Sequence, residues 1–285
     1  MFFLLAKETR ASARETHVRN RLYVTNLPEA PTEAALRTCF MRAGEVFGLR
    51  DKCAGFLSHC GSRGFGHALA TGQFHDLQLK FAQWDIPLPG DDKELVYAPL
   101  GTSEADAYLD DMALGANFAT VNHLLINALV LEAFQEVIPG VKGSLVYFIS
   151  HNIARREIVN NQECWVHRKG ATRAFGPGSP ELPETFRQTG QPVICGGSME
   201  TGSYLLVGTD HAVRDTFGST MHGSGRTMSR AQAKRTVRGE QLQQQMKKRG
   251  ILVKAVSMSG LAEEAGLAYK NISEVVESVE RAGII

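Results

Sequence analysis

The stretch "QPVICGGSMETGSYLLVG", Gln191 to Gly208, decides the expected fold, because two short apolar runs flank a loop of glycine and hydroxyl residues. Apolar runs of four or five residues bounded by glycine are typical of β-strands. The same pattern recurs where "AGFLS" runs into His59, where "GSLVYFIS" runs into His151, and where "YLLVG" precedes Thr209. The sequence therefore predicts a β-rich core whose strands end in loops of Gly, Ser and His.

Two segments carry helical periodicity. From Ser103 to Ile138, apolar residues recur at steps of three and four, which predicts one long helix or two abutting helices. A further helix is predicted from Ser229 to Arg249, with Ser229 and Gln232 as a capping box and Gly250 as the stop. Strands and helices alternate without a strict βαβ rhythm. We therefore expect a mixed α/β (α+β) fold, with helices around the strands and an active cleft at the strand-end loops.

Composition limits the classes of protein. The 285 residues carry a net charge of +1, so binding to nucleic acid must come from local clusters of charge. Five cysteines at irregular spacing form neither a disulfide framework nor a zinc pattern, which predicts reduced thiols in a cytoplasmic protein. The opening "MFFLLAKETR" lacks the features of a secretory signal, and no window approaches eighteen apolar residues. We expect no membrane span.

Three histidines, His59, His151 and His222, stand at strand-to-loop junctions beside small residues. Each alone is more often structural, but three in the same setting indicate a divalent metal site, because grouped imidazoles commonly hold such ions. Manganese and zinc both remain possible. The loops Gly196 to Ser203 and His222 to Arg226 offer unobstructed backbone amides, which is the composition of an anion-binding nest for phosphate.

Basic residues cluster next to these loops. Between Arg226 and Arg249 there are eight Arg or Lys residues and one acidic residue, Glu240. A second cluster is "HRKGATRA", which begins at His167. An isolated basic run is usually a solvated surface, but beside phosphate-type loops it favours a polyanionic substrate.

Six motifs taken in order resemble a known family: "HCGSRGFGH", "HN" after a strand, "HRKGATRA", "GGSMETGSYLLVG", "HGSGR" and "AYKNISEVV". Together they resemble the RtcB family of GTP-dependent RNA-splicing ligases, from about Leu49 to the C-terminus. The resemblance implies joining of RNA 2′,3′-cyclic phosphate or 3′-phosphate ends to 5′-hydroxyl ends, with GTP and Mn²⁺. It also implies that His222 attacks the α-phosphate of GTP and becomes guanylylated.

The resemblance assigns the remaining site residues by motif. The implied metal ligands are His59 and His151. The implied guanylate-lining residues are Asn152, Gly196, Gly197, Ser198, Met199, Ser203, Gly223, Ser224 and Gly225. The implied RNA or phosphate contacts are His167, Arg168, Lys169, Arg173, Arg226 and Arg230. Whether a protein partner is needed stays open.

Several family features are not found in this sequence. It lacks the Asp-x-x-Cys metal motif and the Asn-His-Phe segment, and Asn122-His123 stands where Asn-Arg is expected. The chain ends at "ERAGII", before the family's closing segment and its guanine-contacting lysine. The alternative hypothesis is therefore a catalytically inactive relative or fragment that binds RNA or GMP.

Residues 1 to 48 differ from the family, which predicts a separate N-terminal segment followed by a ligase core over residues 49–285. "LYVTNL" resembles the shorter motif of an RNA-recognition domain, and "RGFG" at Arg63 to Gly66 resembles the start of the longer one. That longer motif would form a strand with exposed aromatic side chains. An RNA-recognition domain, complete or partial, is thus a second alternative.

Overall fold

The computed structural model describes residues 2–7, 53–85, 87, 95–137, 140–159 and 161–285. The chain divides into two compact units, one of residues 1–57 with 139–285, and the other of residues 58–138. We describe each unit by itself.

The strands of the first unit form four antiparallel sheets, one of three strands and three of two. The three-stranded sheet has the order β2-β1-β3, with β1 Phe2–Lys7, β2 Cys53–Leu57 and β3 Val141–Tyr147. The two-stranded sheets are β4 Asn152–Val159 with β5 Gln162–Lys169, β6 Ala171–Arg173 with β9 Ser219–Met221, and β7 Pro192–Cys195 with β8 Tyr204–Val207. The strands that the sequence predicted before His59, before His151 and on both sides of the Gly196 loop are confirmed.

Seven α-helices are described, two in the second unit and five in the first. The second unit has α1 Arg63–Trp84 and α2 Ser103–Val137. The first unit has α3 Asp210–Thr216, α4 Arg230–Thr236, α5 Gly239–Lys248, α6 Met258–Glu263 and α7 Ile272–Arg281, with 3-10 turns at Glu184–Phe186 and Gly266–Ala268. The mixed α/β fold predicted from the sequence is confirmed.

Helix α7 covers the hairpin that carries the Gly196 loop. Ile272 and Val276, four residues apart on one helix face, pack with the fully buried Cys195 of β7. Ile284, just after α7, joins Val193 in a neighbouring cluster. The last residues of the chain therefore support the strands that lead into the loop.

A second apolar cluster lies among α5, α6 and the segment after them. Leu242 and Met246 of α5 pack with Leu261 of α6, and Met199 from the Gly196 loop packs against this cluster. The tip of the predicted phosphate loop is thus anchored by an apolar side chain.

The helix predicted from Ser229 to Arg249 is two helices. Its start is confirmed, since the Ser229 Oγ accepts a hydrogen bond of 3.1 Å from the backbone N–H of Gln232. The prediction of one continuous helix is wrong, because α4 ends at Thr236 and α5 begins at Gly239. A Cβ at Gly239 would lie 2.1 Å from the Met258 carbonyl oxygen. Close backbone packing at this point, which periodicity does not show, accompanies the break.

The second unit is an antiparallel pair of helices. Phe65 of α1 stacks on Phe118 of α2 with 4.7 Å between ring centroids, and further along α1 the Lys80 Nζ lies 3.0 Å from the Glu104 carboxylate. Later residues of α1 therefore contact earlier residues of α2, as expected for antiparallel helices. The single helix α2 agrees with the prediction for residues 103–138. Because residues 63–66 begin α1, they do not form the strand of an RNA-recognition motif, and that part of the alternative is wrong.

Much of the apolar surface of α2 is exposed. Its exposed residues include Leu114, Phe118, Val121, Leu125 and Leu129. By length and composition alone the helix is able to cross a membrane, since an 18-residue window within 103–136 has a mean hydropathy of 1.4 and is 11% buried. The expectation from the sequence concerned a run of eighteen apolar residues, which is a different test, and the absence of a membrane span stays a prediction. Core helices pass the same test, so the measure assigns no membrane role.

The sequence also predicts a strand from Leu22 to Thr25 and a helix from about Thr32. Both of these, and the boundary after residue 48, fall on residues outside those that the structure describes. The RNA-recognition alternative for the first fifty residues likewise stays a prediction.

Candidate active site

His222 is placed by the short pairing of β6 with β9. Ala171 lies opposite Met221, so Gly170 and His222 leave the two strands at the same end. The His222 Nδ1 lies 2.6 Å from the Gly170 carbonyl oxygen. A carbonyl oxygen only accepts hydrogen bonds, so Nδ1 carries the proton and donates it. In the neutral ring, the lone pair is then on Nε2.

Gly170 also joins His222 to His151 and Asn152. Its N–H lies 2.8 Å from the His151 carbonyl oxygen and 2.8 Å from the Asn152 Oδ1, so both accept from one donor. The imidazole rings of His151 and His222 stack with 4.2 Å between centroids and 10° between planes. The structure thus brings together three predicted site residues around Gly170. Sequence analysis gave Gly170 no role, although its position between two strands was visible.

The two predicted phosphate loops are joined through their backbones. The Gly196 N–H donates to the His222 carbonyl oxygen at 2.9 Å, and the Ser224 N–H donates to the Gly196 carbonyl oxygen at 3.0 Å. A Cβ at Gly223 would lie 3.0 Å from that Gly196 oxygen. Glycine at position 223 therefore permits the close approach of the loops.

Hydroxyl groups organise the Gly196 loop from within. The Ser203 Oγ accepts from the Gly197 N–H at 3.2 Å, and the Thr201 Oγ1 accepts from the Ser198 N–H at 2.8 Å. The Ser198 Oγ in turn accepts from the Glu200 N–H at 3.2 Å. Ser198 and Ser203, predicted to line the guanylate, thus also hold the loop in its conformation.

Ser224 presents a polar group that a ligand would satisfy. The residue is 4% exposed, and its Oγ has no hydrogen-bond partner among the described residues. Leaving a buried hydroxyl without a partner costs about 1–3 kcal/mol. A bound group that accepts or donates at this position removes that cost. The neighbouring Gly225 adopts a φ of 72°, which favours glycine, and its carbonyl oxygen accepts from the Lys270 N–H at 3.0 Å.

Arg168, in the predicted RNA-contact motif, is directed into the protein. Its Nη1 and Nη2 donate to the Glu157 carboxylate at 2.8 and 2.7 Å, and both side chains are 1% exposed. Its Nε donates to the Ser219 Oγ at 2.9 Å. The sequence did not single out Glu157, and nothing in its own motif indicates a buried carboxylate.

The neighbours of Arg168 on β5 differ from it, because side chains alternate along a strand. His167 and Lys169 are exposed, and Lys169 lies opposite Asn152 in the β4–β5 register. Arg173 is part-buried: its Nη1 lies 3.7 Å from the Glu181 carboxylate, and burial lowers the pKa of its guanidinium. Lys169 is therefore the cation of this motif that is exposed to solvent.

The basic residues after His222 are balanced by acidic residues of α6 and the residue after it. Arg226 donates to the Tyr269 hydroxyl at 2.8 Å and to the Glu263 carbonyl oxygen at 2.6 Å. The Arg230 Nε lies 3.7 Å from the Glu263 carboxylate, and its side chain is largely exposed. A hydrogen bond from Lys234 lowers the pKa of Glu263. Arg226 thus ties the His222 loop to Tyr269, whereas Arg230 keeps an exposed surface.

His59 belongs to the second unit. It follows the last residue of β2, which ends the first part of the other unit, by two positions. The segment around it is held by α2. The Asn122 Nδ2 donates to the Gly61 carbonyl oxygen at 2.8 Å, and the His123 Nε2 lies 3.2 Å from the Cys60 carbonyl oxygen. Burial lowers the pKa of His123, which favours the neutral ring. Asn122 and His123 therefore position the His59 loop, and the assignment of His59 and His151 to a metal stays a prediction.

The described residues thus define a mixed α/β protein in which a histidine begins one glycine loop and is joined through its backbone to a second one. A family model described as "tRNA-splicing ligase RtcB" matches residues 37–285, and the chain belongs to the RtcB family. The resemblance inferred from the six motifs is confirmed.

Proteins named tRNA-splicing ligase RtcB are similar to this chain over most of its length. The one from Archaeoglobus fulgidus is 46% identical over 246 residues, which are 84% of this chain and 51% of the relative. The one from Pyrobaculum aerophilum is 42% identical over 252 residues, which are 85% of this chain and 52% of the relative. The one from Pyrococcus abyssi is 44% identical over 248 residues, which are 84% and 27% of the two chains. The chain thus spans about half, or less, of the length of these relatives.

Proposed function

We propose that this chain acts in RNA ligation of the RtcB type, with His222 as the nucleophile. It would join RNA ends that carry a 2′,3′-cyclic phosphate or a 3′-phosphate to 5′-hydroxyl ends, with GTP as the co-substrate. Family membership and the names of the relatives support the ligase class. The observation that carries the role of His222 is its hydrogen bond to the Gly170 carbonyl oxygen, which directs the lone pair of the neutral ring to Nε2.

In the first step, the Nε2 lone pair forms a bond to the α-phosphorus of GTP, and the bond from that phosphorus to the bridging oxygen breaks. Pyrophosphate leaves, and GMP stays on His222 as a phosphoramidate. The proton on Nδ1 stays in its hydrogen bond to Gly170, which stabilises the positive charge that the ring acquires. Glycine-loop amides and nearby cations offset the negative charge that develops on the phosphate oxygens.

In the second step, an oxygen of the RNA 3′-phosphate attacks the same phosphorus, the N–P bond breaks, and His222 regains its neutral ring. The 5′-hydroxyl then attacks the RNA phosphate, loses its proton, and displaces GMP. A cyclic phosphate has to be opened by water first, because GMP transfer needs a phosphate monoester as the acceptor. We assign the exposed Lys169 and Arg230 to the RNA or phosphate.

The guanylate would lie along the joined glycine loops. Asn152, Gly196 and Ser224 lie within the hydrogen-bond network that surrounds His222, and the Ser224 hydroxyl is buried without a partner in the described part of the chain. These features support a bound nucleotide phosphate at this place.

A divalent metal fits the donor groups of the site. The His151 ring stacks on the His222 ring, so an imidazole donor lies directly beside the nucleophile, and imidazole nitrogen suits Mn²⁺ or Zn²⁺. We propose that His151 is one of the residues that hold Mn²⁺. Such an ion would withdraw charge from phosphate oxygens during nucleotidyl transfer.

We also propose that the protein works in the reducing cytoplasm. Cys60, Cys164 and Cys195 are free thiols, which supports this location.

The test is incubation with α-labelled GTP and Mn²⁺, followed by a denaturing gel. The parent and a His211→Ala control, which removes an exposed histidine of α3, should take up an acid-labile and alkali-stable label, whereas His222→Ala should not. Labelled parent should then seal RNA with 3′-phosphate and 5′-hydroxyl ends. Label on His222→Ala would refute the assignment of the nucleophile. A folded parent that binds GMP or RNA but takes no label would support the alternative of an inactive relative.

A further inference from the structure

The buried pair of Arg168 and Glu157 connects the β4–β5 hairpin to the strand that leads to His222. Arg168 donates two hydrogen bonds to the Glu157 carboxylate, one to the Ser219 Oγ and one to the Phe217 carbonyl oxygen, at distances of 2.7 to 2.9 Å. Ser219 is the first residue of β9, and His222 follows the last. The guanidinium therefore holds the start of the strand whose end presents the nucleophile.

The turn that Arg168 holds has an unusual backbone. Phe217 has a φ of 53° and Gly218 a φ of 61°, both in the left-handed region. A non-glycine residue costs free energy there and persists only where its surroundings hold it. Phe217 caps the C-terminus of α3, where backbone N–H groups of the turn donate to the Ala212 carbonyl oxygen. The Phe217 side chain is largely exposed, so the hydrogen bond from Arg168 to the Phe217 carbonyl oxygen adds a buried side-chain restraint to that helix end.

We propose that Arg168 is a positioning residue for His222, held in place by Glu157, and that it does not contact RNA phosphate. The inference rests on the proposed function and reassigns one cation of the "HRK" run. Arg168 is 4% exposed with four of its five N–H donors engaged, so contact with RNA would require breaking a buried, bidentate ion pair. The side chain of the next residue, Lys169, points to the opposite face of the strand and is exposed.

Four variants separate positioning from contact with RNA. Arg168→Met removes the guanidinium, and the double variant Glu157→Met/Arg168→Met removes the charge that would otherwise be buried alone, which guards against misfolding. Lys169→Met removes the exposed cation. Arg187→Met is the matched control, because Arg187 also pairs with a glutamate, Glu184, but at an exposed site.

Three measurements are made on each variant. The first is the rate of His222 labelling by α-labelled GTP without RNA. The second is the salt dependence of affinity for single-stranded RNA. The third is the ring tautomer of His222, read from long-range ¹H–¹⁵N NMR of histidine-labelled protein, which requires no activity.

We expect both Arg168 variants to label about 10²-fold more slowly, because a shift of about 1 Å in a reacting group has that effect. Their His222 signals should move away from the Nδ1–H form, while the salt slope of RNA binding stays at the parent value. Lys169→Met should lower that slope by about 0.7, the value for one phosphate contact on a single strand, and leave the His222 signals unchanged. Arg187→Met should match the parent in all three measurements.

Two results would overturn the proposal. One is a lower salt slope in Arg168→Met with the labelling rate and the His222 tautomer unchanged, which would make Arg168 an RNA contact. The other is a double variant that folds and keeps the parent tautomer. A parent that takes no label and binds no RNA would refute the proposed function, and the tautomer measurement would still decide the role of Arg168.

Discussion

Substitution of Gly170 by alanine tests whether the backbone at this residue sets the chemistry of His222. Gly170 has a φ of 69°, and a Cβ there would lie 3.4 Å from the His222 Cε1 and 3.6 Å from its Nδ1. The matched control is Gly178→Ala, since Gly178 has a φ of 81° but nothing within 4 Å of its Cβ position. Both variants strain the backbone, and only Gly170→Ala does so at the residue whose carbonyl oxygen accepts from Nδ1. The added methyl group itself would meet the imidazole at ordinary van der Waals distance.

The expected magnitudes follow from these two terms. A left-handed alanine costs about 1–2 kcal/mol, so both variants should lose about that much free energy of unfolding. Only Gly170→Ala should also weaken the hydrogen bond from Nδ1, which is worth about 0.5–1.5 kcal/mol. If that energy is lost in the transition state, where the ring acquires positive charge, attack by Nε2 slows by about 2- to 12-fold, and displacement of the ring adds to this.

The assay pairs urea unfolding with the rate of His222 labelling by α-labelled GTP. We expect similar unfolding midpoints for the two alanine variants and slower labelling for Gly170→Ala alone. Equal labelling rates in the two variants would refute the reasoning, because the backbone at Gly170 would then have no effect on the nucleophile. Long-range ¹⁵N NMR provides an independent check on the tautomer.

Three further predictions concern the core, a thiol and the metal. Ile272→Ala should cost about 2–5 kcal/mol in urea unfolding, because Ile272 is 3% exposed in the cluster that backs the Gly196 loop. Burial raises the pKa of the Cys195 thiol from 9.0 to about 12, so the unfolded chain loses this proton first and stability should fall as pH rises from 9 towards 12. Cys195→Ala should flatten that fall in urea unfolding at stepped pH, and iodoacetamide should alkylate the part-exposed Cys164 of the native protein before Cys195. His151→Ala should weaken Mn²⁺ binding about tenfold or more in isothermal titration calorimetry, and unchanged affinity would remove His151 from the metal site.

Local patterns predicted much of this architecture because strand and loop signals lie close together in the sequence. The apolar runs on both sides of Gly196 form β7 and β8, and the periodic segment from Ser103 forms α2. Ser229 caps α4 as the sequence indicates. Such features depend on neighbouring residues, so one sequence is sufficient to find them.

The features that the sequence did not reveal depend on contacts between distant segments. The break between α4 and α5 coincides with the approach of the Gly239 backbone to Met258. The burial of Arg168 depends on Glu157, which lies eleven residues earlier on the paired strand. A run of basic residues in the sequence does not indicate which of its side chains face water and which face the core. The hydrogen bond from His222 to Gly170 spans fifty-two positions and uses a backbone oxygen, which leaves no compositional signal.

The joining of the two glycine loops through their backbones has a consequence for how this site is dissected. Gly196, His222 and Ser224 are connected by peptide N–H and carbonyl groups, which every residue type except proline supplies. Alanine scanning replaces side chains only, so it leaves these backbone hydrogen bonds intact and does not test them. Amide-to-ester replacement by chemical ligation, which deletes a single N–H at position 196 or 224, is the perturbation that reaches them.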